Sequence, residues 1–333
     1  MPIEDYTYSI TLLQLSLYIP TVLGSLLDLK RHMLGASAPL RMTTILWWSE
    51  DTDGEVDLRL GALGQPIAHN MLKAGYHLKI YNRTASKAEP FKALGAEIAS
   101  RPADTLAPGG IIVTVVSNDE ALEDVVMSEG FLTGLGAGGV HLSMSTVSPA
   151  LARKLSALHA QYGSFYVEAP VFGRPEAAAA QLLWICTAGP MEAKVRVRPL
   201  LEAIGQGIFD FGEEPGAALT VKLCGNFLGS AAIRAMREAL TMVKKSGGDP
   251  TKVIDMLTQT LFSAPIYQSY GKVIALDPEH FSQGAFSWIS LKDAGLFLDA
   301  AAQVESQATL AHFLYEEKRQ ESRVTQHIQH ETP

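Results

Sequence analysis

Residues 61–84 read GALGQPIAHNMLKAGYHLKIYNRT, a glycine-containing turn followed by a helical pattern and a strand that ends in Asn-Arg-Thr. In a dinucleotide-binding fingerprint, the second glycine lets the backbone approach a pyrophosphate and the third lets the helix pack closely on the strand. Gly61 and Gly64 occupy those positions, and the amides at the start of the helix would face the phosphates. The stretch therefore predicts a nucleotide pocket that includes Gly61, Leu63 and Gly64.

The end of the strand predicts which dinucleotide the pocket takes. About 20 residues after the glycine loop, a site for NAD normally carries an Asp or Glu that binds the ribose 2′-hydroxyl. This chain has Asn82 there, followed by Arg83 and Thr84. A guanidinium suits a 2′-phosphate, which a carboxylate would repel. We predict NADP(H), ahead of NAD(H), as the cofactor, with Asn82, Arg83 and Thr84 among its ligands.

The start of the fingerprint departs from the pattern, since Arg59 stands where the first glycine belongs. The preceding residues 56–60 alternate apolar and charged side chains, whereas the first strand of a doubly wound sheet is buried on both faces and apolar. Either the turn is distorted, or the segment before Gly61 is not native to the fold. We assign residues 1–54 to an appended N-terminal segment of uncertain order, with a helix that packs on the body as the alternative.

Composition limits the class of protein. With 333 residues, 47% of them hydrophobic, the chain can bury a large core and form two domains. The net charge of −8 argues against a nucleic-acid partner. Cys186 and Cys224 are too few for a disulfide framework or a metal site, which favours a reducing, cytoplasmic location. The apolar stretch 9–27 lacks a positively charged leader, so we expect no membrane anchor.

The pattern along the chain changes character once. Short apolar runs alternate with helical patterns from 56 to about 211, which indicates a parallel sheet covered on both faces, with 111–116 as a central strand. After a Gly- and Pro-containing linker, helical periodicity runs unbroken from 217 to 246. We predict an α/β Rossmann-type, doubly wound N-terminal domain followed by an all-α C-terminal domain. The bounds are 55–214 for the NADP-binding domain, 215–320 for the all-α domain and 321–333 for a tail.

Lys222 and Asn226 lie four positions apart near the start of the long helical stretch, hence on one helix face. An exposed pair of this kind is common. Here the surroundings are apolar, and desolvation lowers the pKa of a lysine toward the range that is useful for proton transfer. The helix also begins where the first domain ends, which is where an interdomain cleft is expected.

Three further groups of residues are candidates for a site. Ser145 and Thr146 follow a strand, at the edge where doubly wound sheets bind ligands. Gly173 and Arg174 belong to a loop that also follows a strand, although a surface turn is the simpler interpretation. Lys292 lies on a helix with an apolar opposite face and, taken alone, would be a surface charge.

In this order and spacing, the motifs resemble those of the β-hydroxyacid dehydrogenases, the family of 3-hydroxyisobutyrate dehydrogenase and glyoxylate/succinic semialdehyde reductase. The resemblance covers about residues 56–303. It implies a catalytic lysine at Lys222 with Asn226 as its partner, a substrate and cofactor loop at Ser145 and Thr146, and a nicotinamide contact at Lys292. The loop Ala169-Pro170-Val171 with Gly173 resembles the substrate-binding loop of the family.

This resemblance implies an NADP-dependent oxidoreductase that acts on CH–OH groups and needs no metal. Lys222 would donate a proton in reduction and accept one in oxidation, while Ser145 and the amide near Gly173 hold the carboxylate of a small substrate. Phe172-Gly173-Arg174 replaces the usual Ser-Gly-Gly, so a larger or differently placed anion could use Arg174, or Phe172 could narrow the site against apolar groups. The alternatives are a catalytically impaired dinucleotide-fold protein and an imine reductase-like enzyme. A homodimer or homotetramer is expected.

Overall fold

A computed structural model describes residues 43–47, 63–281 and 287–331. Six parallel strands form its main sheet in the order β3-β2-β1-β4-β5-β6. The strands are β1 Thr43–Trp47, β2 Leu78–Asn82, β3 Glu97–Ile98, β4 Ile111–Val115, β5 Val140–Ser143 and β6 Phe165–Glu168. This is the strand order of a dinucleotide-binding doubly wound sheet, in which ligands bind at the carboxyl ends of the strands.

The helices that connect these strands give the sheet a core on each face. They are α1 Gly64–Lys73, α2 Ala85–Lys92, α3 Asp119–Met127, α4 Phe131–Leu135 and α5 Pro149–Gln161, with a 3₁₀ turn at Pro102–Thr105. Successive side chains of β4 join different clusters: Ile112 packs with Leu122 and Phe131, and Val113 packs with Ile67 and Leu142. Because a strand's side chains alternate between faces, the apolar run at 111–115 is buried on both sides, as a central strand requires.

The first strand requires a correction. β1 consists of Thr43–Trp47 and pairs with β2 and β4, with Ile45 opposite Ile80 and Val113. The first strand expected from the sequence, at 56–60, lies outside the described residues, and 43–47 belongs to the segment predicted as appended. Thr-Thr-Ile-Leu-Trp is a β-branched, apolar run that suits a central strand, so the main sheet takes its first strand from before residue 54.

A second, three-stranded sheet follows the first. β7 Val171–Phe172 pairs antiparallel with β8 Leu183–Thr187, which pairs parallel with β9 Gly205–Asp210. Helices α6 Pro175–Ala179 and α7 Met191–Glu202 connect these strands. The sequence predicted one parallel sheet that included these strands, because a two-residue antiparallel strand such as β7 leaves no periodic signal.

The described residues after 216 form helices and their connections. They are α8 Ala217–Lys245, α9 Pro250–Gln259, α10 Pro265–Leu276, α11 Ser287–Gln303 and α12 Thr309–Glu331. Ile233, Met236 and Leu240 of α8 pack with Ile254 and Ile274 in the core of this region. The fold class predicted from the sequence, a Rossmann-type unit followed by an all-α unit, is confirmed.

Candidate active site

The carboxyl ends of β4 and β5 are tied together by Ser145. Its hydroxyl oxygen accepts a hydrogen bond from the amide of Val116, with 2.8 Å between the heavy atoms. Ser145 is only 3% exposed, so its side chain holds the loop rather than facing solvent. Thr146 follows it and is partly buried.

Glu168, the last residue of β6, holds the start of α8. Its buried carboxylate accepts hydrogen bonds from the amides of Gly216 and Leu219, the latter at 3.2 Å. A carboxylate at a helix N-terminus satisfies amides that have no partner within the helix. Burial raises the pKa of Glu168 to about 7, while the amide hydrogen bonds act in the opposite direction. The residue fixes where the long helix leaves the Rossmann unit.

Lys222 lies on the second turn of α8 and is partly buried. The Nζ atom lies 4.2 Å from the centroid of the Phe172 ring, which belongs to β7. Burial lowers the pKa of Lys222 to about 8; Asp293 raises this pKa and Lys292 lowers it. An amine with a pKa close to neutrality can exchange a proton in either direction at physiological pH.

Asn226, Asp293 and Lys292 link α8, α11 and the sheet. Asn226 Nδ2 donates to Asp293 Oδ2 at 2.7 Å. Lys292 Nζ donates to the carbonyl of Ser117 at 2.8 Å and to that of Thr146 at 2.5 Å, and lies 3.2 Å from Asp293 Oδ1. The structure therefore brings Lys222, Asn226, Thr146 and Lys292, which the sequence singled out separately, to one edge of the main sheet.

The loop after β7 combines a constrained glycine with an engaged arginine. Gly173 has φ +147°, and a Cβ atom there would lie 2.6 Å from Leu183 Cδ2, so a larger residue does not fit. The Arg174 guanidinium carbon lies 5.5 Å from the centroid of the Tyr270 ring on α10. Arg174 thus contacts the helical region, and Phe172, the last residue of β7, contacts Lys222.

The nucleotide-binding candidates in the described residues lie at the start of α1 and at the carboxyl end of β2. Helix α1 begins at the buried Gly64, and Leu63 precedes it as a partly buried residue. Asn82 is 4% exposed; its Nδ2 donates to the carbonyl of Thr84 at 2.6 Å, and its Oδ1 has no hydrogen-bond partner among the described residues. Arg83 is exposed. Gly61 lies outside the described residues.

These features fit a dinucleotide. The start of α1 offers amides to a pyrophosphate, and the exposed Arg83 that follows β2 suits a ribose phosphate. The buried, unpaired Asn82 oxygen adds an acceptor at the same edge.

Three residues with evident structural roles were not assigned one from the sequence: Phe172, Glu168 and Asp293. Phe172 was considered only as a side chain that could narrow the substrate site, and Asp293 was not among the predicted site residues. Glu168 did carry a usable signal, because an acidic residue at the end of an apolar strand needs buried partners.

Among the described residues, no group of three or more His, Cys, Asp or Glu side chains is arranged to hold a metal ion. Within the same part of the chain, no helix is both long and apolar enough to span a bilayer.

Comparison with known families divides the chain at the end of β9. Residues 59–212 match the NAD-binding domain of 6-phosphogluconate dehydrogenase, and residues 216–323 match the NAD-binding domain of NADP-dependent 3-hydroxyisobutyrate dehydrogenase. The uncharacterized oxidoreductase YfjR of Bacillus subtilis is 41% identical over 254 residues, which cover 76% of this chain and 88% of YfjR.

The chain belongs to the β-hydroxyacid dehydrogenase family. It is an oxidoreductase of hydroxy acids that binds a pyridine nucleotide, as the family resemblance implied.

Solved structures share the fold of this family. The structure of Mycobacterium tuberculosis 3-hydroxyisobutyrate dehydrogenase with L-serine has a TM-score of 0.72 at 23% identity, covering 85% of this chain and 94% of that one. An imine reductase of Streptomyces aurantiacus has a TM-score of 0.56 at 19% identity, covering 85% and 95%. At these identities the similarity establishes the fold and not the reaction.

Proposed function

We propose that the chain catalyses NADP(H)-dependent hydride transfer between a small hydroxy acid and the corresponding semialdehyde or 2-oxo acid, with Lys222 as general acid and base. The observation that carries the proposal is the partly buried Lys222, whose amine lies 4.2 Å from the centroid of the Phe172 ring, on a helix linked through Asn226, Asp293 and Lys292 to the loops at the sheet edge.

The nicotinamide, when bound, supplies or accepts the hydride. In reduction the carbonyl oxygen gains negative charge, and the Lys222 ammonium donates a proton to it. In oxidation the neutral amine removes the hydroxyl proton. Because burial lowers the pKa of Lys222 to about 8, both protonation states are populated near neutral pH.

Neighbouring residues keep this lysine and the substrate in place. Asn226, held by Asp293 at 2.7 Å, orients the lysine or the substrate oxygen. Lys292 fixes the loops that carry Ser117 and Thr146 and so shapes the nicotinamide end of the cleft. We assign the substrate carboxylate to the loop of Gly173 and Arg174, together with Ser145 in the loop that follows β5.

The preference for NADP(H) is assigned to Arg83, the exposed cation that follows β2, together with Asn82 and Thr84, while Gly61, Leu63 and Gly64 take the pyrophosphate. Replacing Arg83 by Ser should weaken NADPH binding roughly 10- to 100-fold and leave NADH binding within about twofold, because only the charged contact to the 2′-phosphate is lost. Arg198→Ser, at an exposed arginine paired with Glu202 on α7, is the matched control. Fluorescence titration measures both nucleotides.

A substrate panel separates the enzymatic alternatives. Purified protein with NADPH is assayed in parallel on glyoxylate, succinic semialdehyde and a cyclic imine. The proposal predicts turnover of at least one of the two oxo acids and none of the imine. Turnover of the imine alone would assign the chain to the imine reductases. Absence of NADPH binding at micromolar concentrations would make it a catalytically impaired dinucleotide-fold protein.

We also propose a cytoplasmic location and an assembly of two or four copies. Light scattering coupled to size-exclusion chromatography measures the assembly directly, and a monomer at micromolar concentration would contradict it.

A further inference from the structure

Phe172 lies against the face of α8 that carries Lys222. The ring is partly buried and, together with Ala217 and Val221, packs on the buried cluster of Cys186, Ala188 and Ala218. Its π face lies 4.2 Å from the Lys222 amine, measured to the ring centroid. Since an ammonium is attracted to the face of an aromatic ring at this distance, the ring provides a contact that a serine at this position could not make.

Gly225, three residues after Lys222 on α8, provides the space for this ring. A Cβ atom at Gly225 would lie 2.4 Å from Phe172 Cζ and 2.5 Å from Cε1, so the ring would have to shift to accommodate it. Gly225 lies inside a regular helix, where glycine is unfavourable relative to alanine. The close approach of the ring, rather than the backbone conformation, therefore accounts for glycine here.

The groups around the amine have opposing effects on its protonation. Asp293 and Lys292 on α11 and Cys186 on β8 are the titratable neighbours; Asp293 and Cys186 favour the charged amine and Lys292 disfavours it. Burial favours the neutral amine. The ring face favours the ammonium without adding a hydrogen-bond partner, so it can hold the charged amine in one place while leaving its N–H groups for substrate.

We infer that Phe172, seated against Gly225, is a positioning residue that holds the Lys222 ammonium by its π face and keeps it directed at the substrate oxygen. This inference rests on the proposed role of Lys222. It assigns Phe172 and Gly225 as a matched pair, in which the aromatic side chain and the missing side chain depend on each other.

The first test changes the ring and keeps its apolar volume. In Phe172→Leu the amine stays buried but loses the π face, so its pKa falls. Because reduction requires the ammonium, the alkaline limb of the kcat profile should move to lower pH by roughly half to one and a half units. NADPH binding should stay within about twofold, because Arg83 and the start of α1, which we assign to the cofactor phosphates, are unchanged. An unchanged limb, or a limb at higher pH, would overturn the inference.

The second test is a double-mutant cycle that does not depend on the pH profile. Gly225→Ala should lower kcat roughly 10- to 100-fold, because the added Cβ displaces the ring and with it the amine. The same substitution in a Phe172→Ala background should change kcat by no more than about twofold, since the clash is gone. Gly229→Ala, on the same helix, is the control. Its added Cβ would lie 3.2 Å from a side-chain methyl of Ile266, and its kcat should stay close to that of wild type.

The results distinguish failure of the proposed role of Lys222 from failure of the proposed role of Phe172. If Lys222→Met retains wild-type kcat, the proposed function is wrong whatever Phe172 does. If Lys222→Met is inactive but Gly225→Ala costs the same in both backgrounds, the role of Lys222 stands and the positioning role of Phe172 is wrong.

Discussion

Two buried histidines should make the fold sensitive to acid. Thr114 Oγ1 lies 2.9 Å from His141 Nε2, His141 Nδ1 lies 3.0 Å from His159 Nε2, and His159 Nδ1 lies 2.9 Å from Ser164 Oγ. Ser164 donates its own proton to the carbonyl of His159 at 3.1 Å. Each ring therefore donates through Nδ1 and accepts through Nε2, an arrangement that requires both to be neutral.

The magnitude follows from the difference in proton affinity between the folded and unfolded chain. Burial lowers the pKa of His159 to about 4, and burial together with His159 lowers the pKa of His141 well below 6.5. Below an unfolded pKa of about 6.5 the unfolded chain binds more protons, so stability falls as pH falls toward the folded pKa. Between pH 7 and pH 5, His159 alone should cost about 2 kcal/mol of unfolding free energy, and His141 acts in the same direction.

The assay is urea unfolding, followed by tryptophan fluorescence at pH 5, 6 and 7. The reference is His141→Leu/His159→Leu, which leaves Ser164 bonded to the backbone; its loss of the Thr114 partner costs the same at every pH. Wild type should lose at least about 2 kcal/mol more than this variant between pH 7 and pH 5. If wild type and the double variant lost the same unfolding free energy between pH 7 and pH 5, the buried histidines would not be the source of the acid sensitivity.

Two further substitutions test separate parts of the structure. Glu168→Gln should remove a pH dependence of opposite sign. Burial raises the pKa of Glu168 to about 7, so wild type loses roughly 3 kcal/mol of stability through this group as pH rises from 4.5 to beyond 7. Urea unfolding across that range should show no such loss in the variant. Gly173→Ala should destabilise by roughly 1–3 kcal/mol through its φ of +147° and the 2.6 Å approach to Leu183. Gly212→Ala, with φ +94° and no atom within 4 Å of the added Cβ, should cost less in the same experiment.

Local patterns gave most of the elements after residue 63. The central strand predicted at 111–116 is β4 Ile111–Val115, and the helix predicted at 217–246 ends at Lys245. Each has a signal in its own residues: β4 is a run of mostly β-branched residues, and a glycine pair follows α8.

The prediction of the first strand was wrong because that strand is defined by pairing between residues far apart in the chain. Thr43–Trp47 is a central strand only because it pairs with β2 and β4, and the fingerprint glycine normally follows that strand closely. Here Gly61 is far from Trp47. Local periodicity contains no information on such pairing.

The site shows the same division. Lys222 and Asn226 could be placed on one face because a helix fixes their spacing. The contact of Phe172 with Lys222 joins residues 50 positions apart, and the bond from Lys292 to Thr146 spans 146. Neither follows from a motif without the fold that closes those distances.

The most direct measurement is kcat for reduction by Lys222→Met, at saturating NADPH and on the oxo acid that wild type turns over best. If Lys222 is the general acid, kcat should fall by about 10²- to 10⁴-fold, with NADPH binding within about twofold of wild type. This role of Lys222 also predicts that wild-type reduction declines, and oxidation rises, as pH passes through about 8. A Lys222→Met variant that keeps wild-type kcat while binding NADPH normally would show that Lys222 is not the general acid.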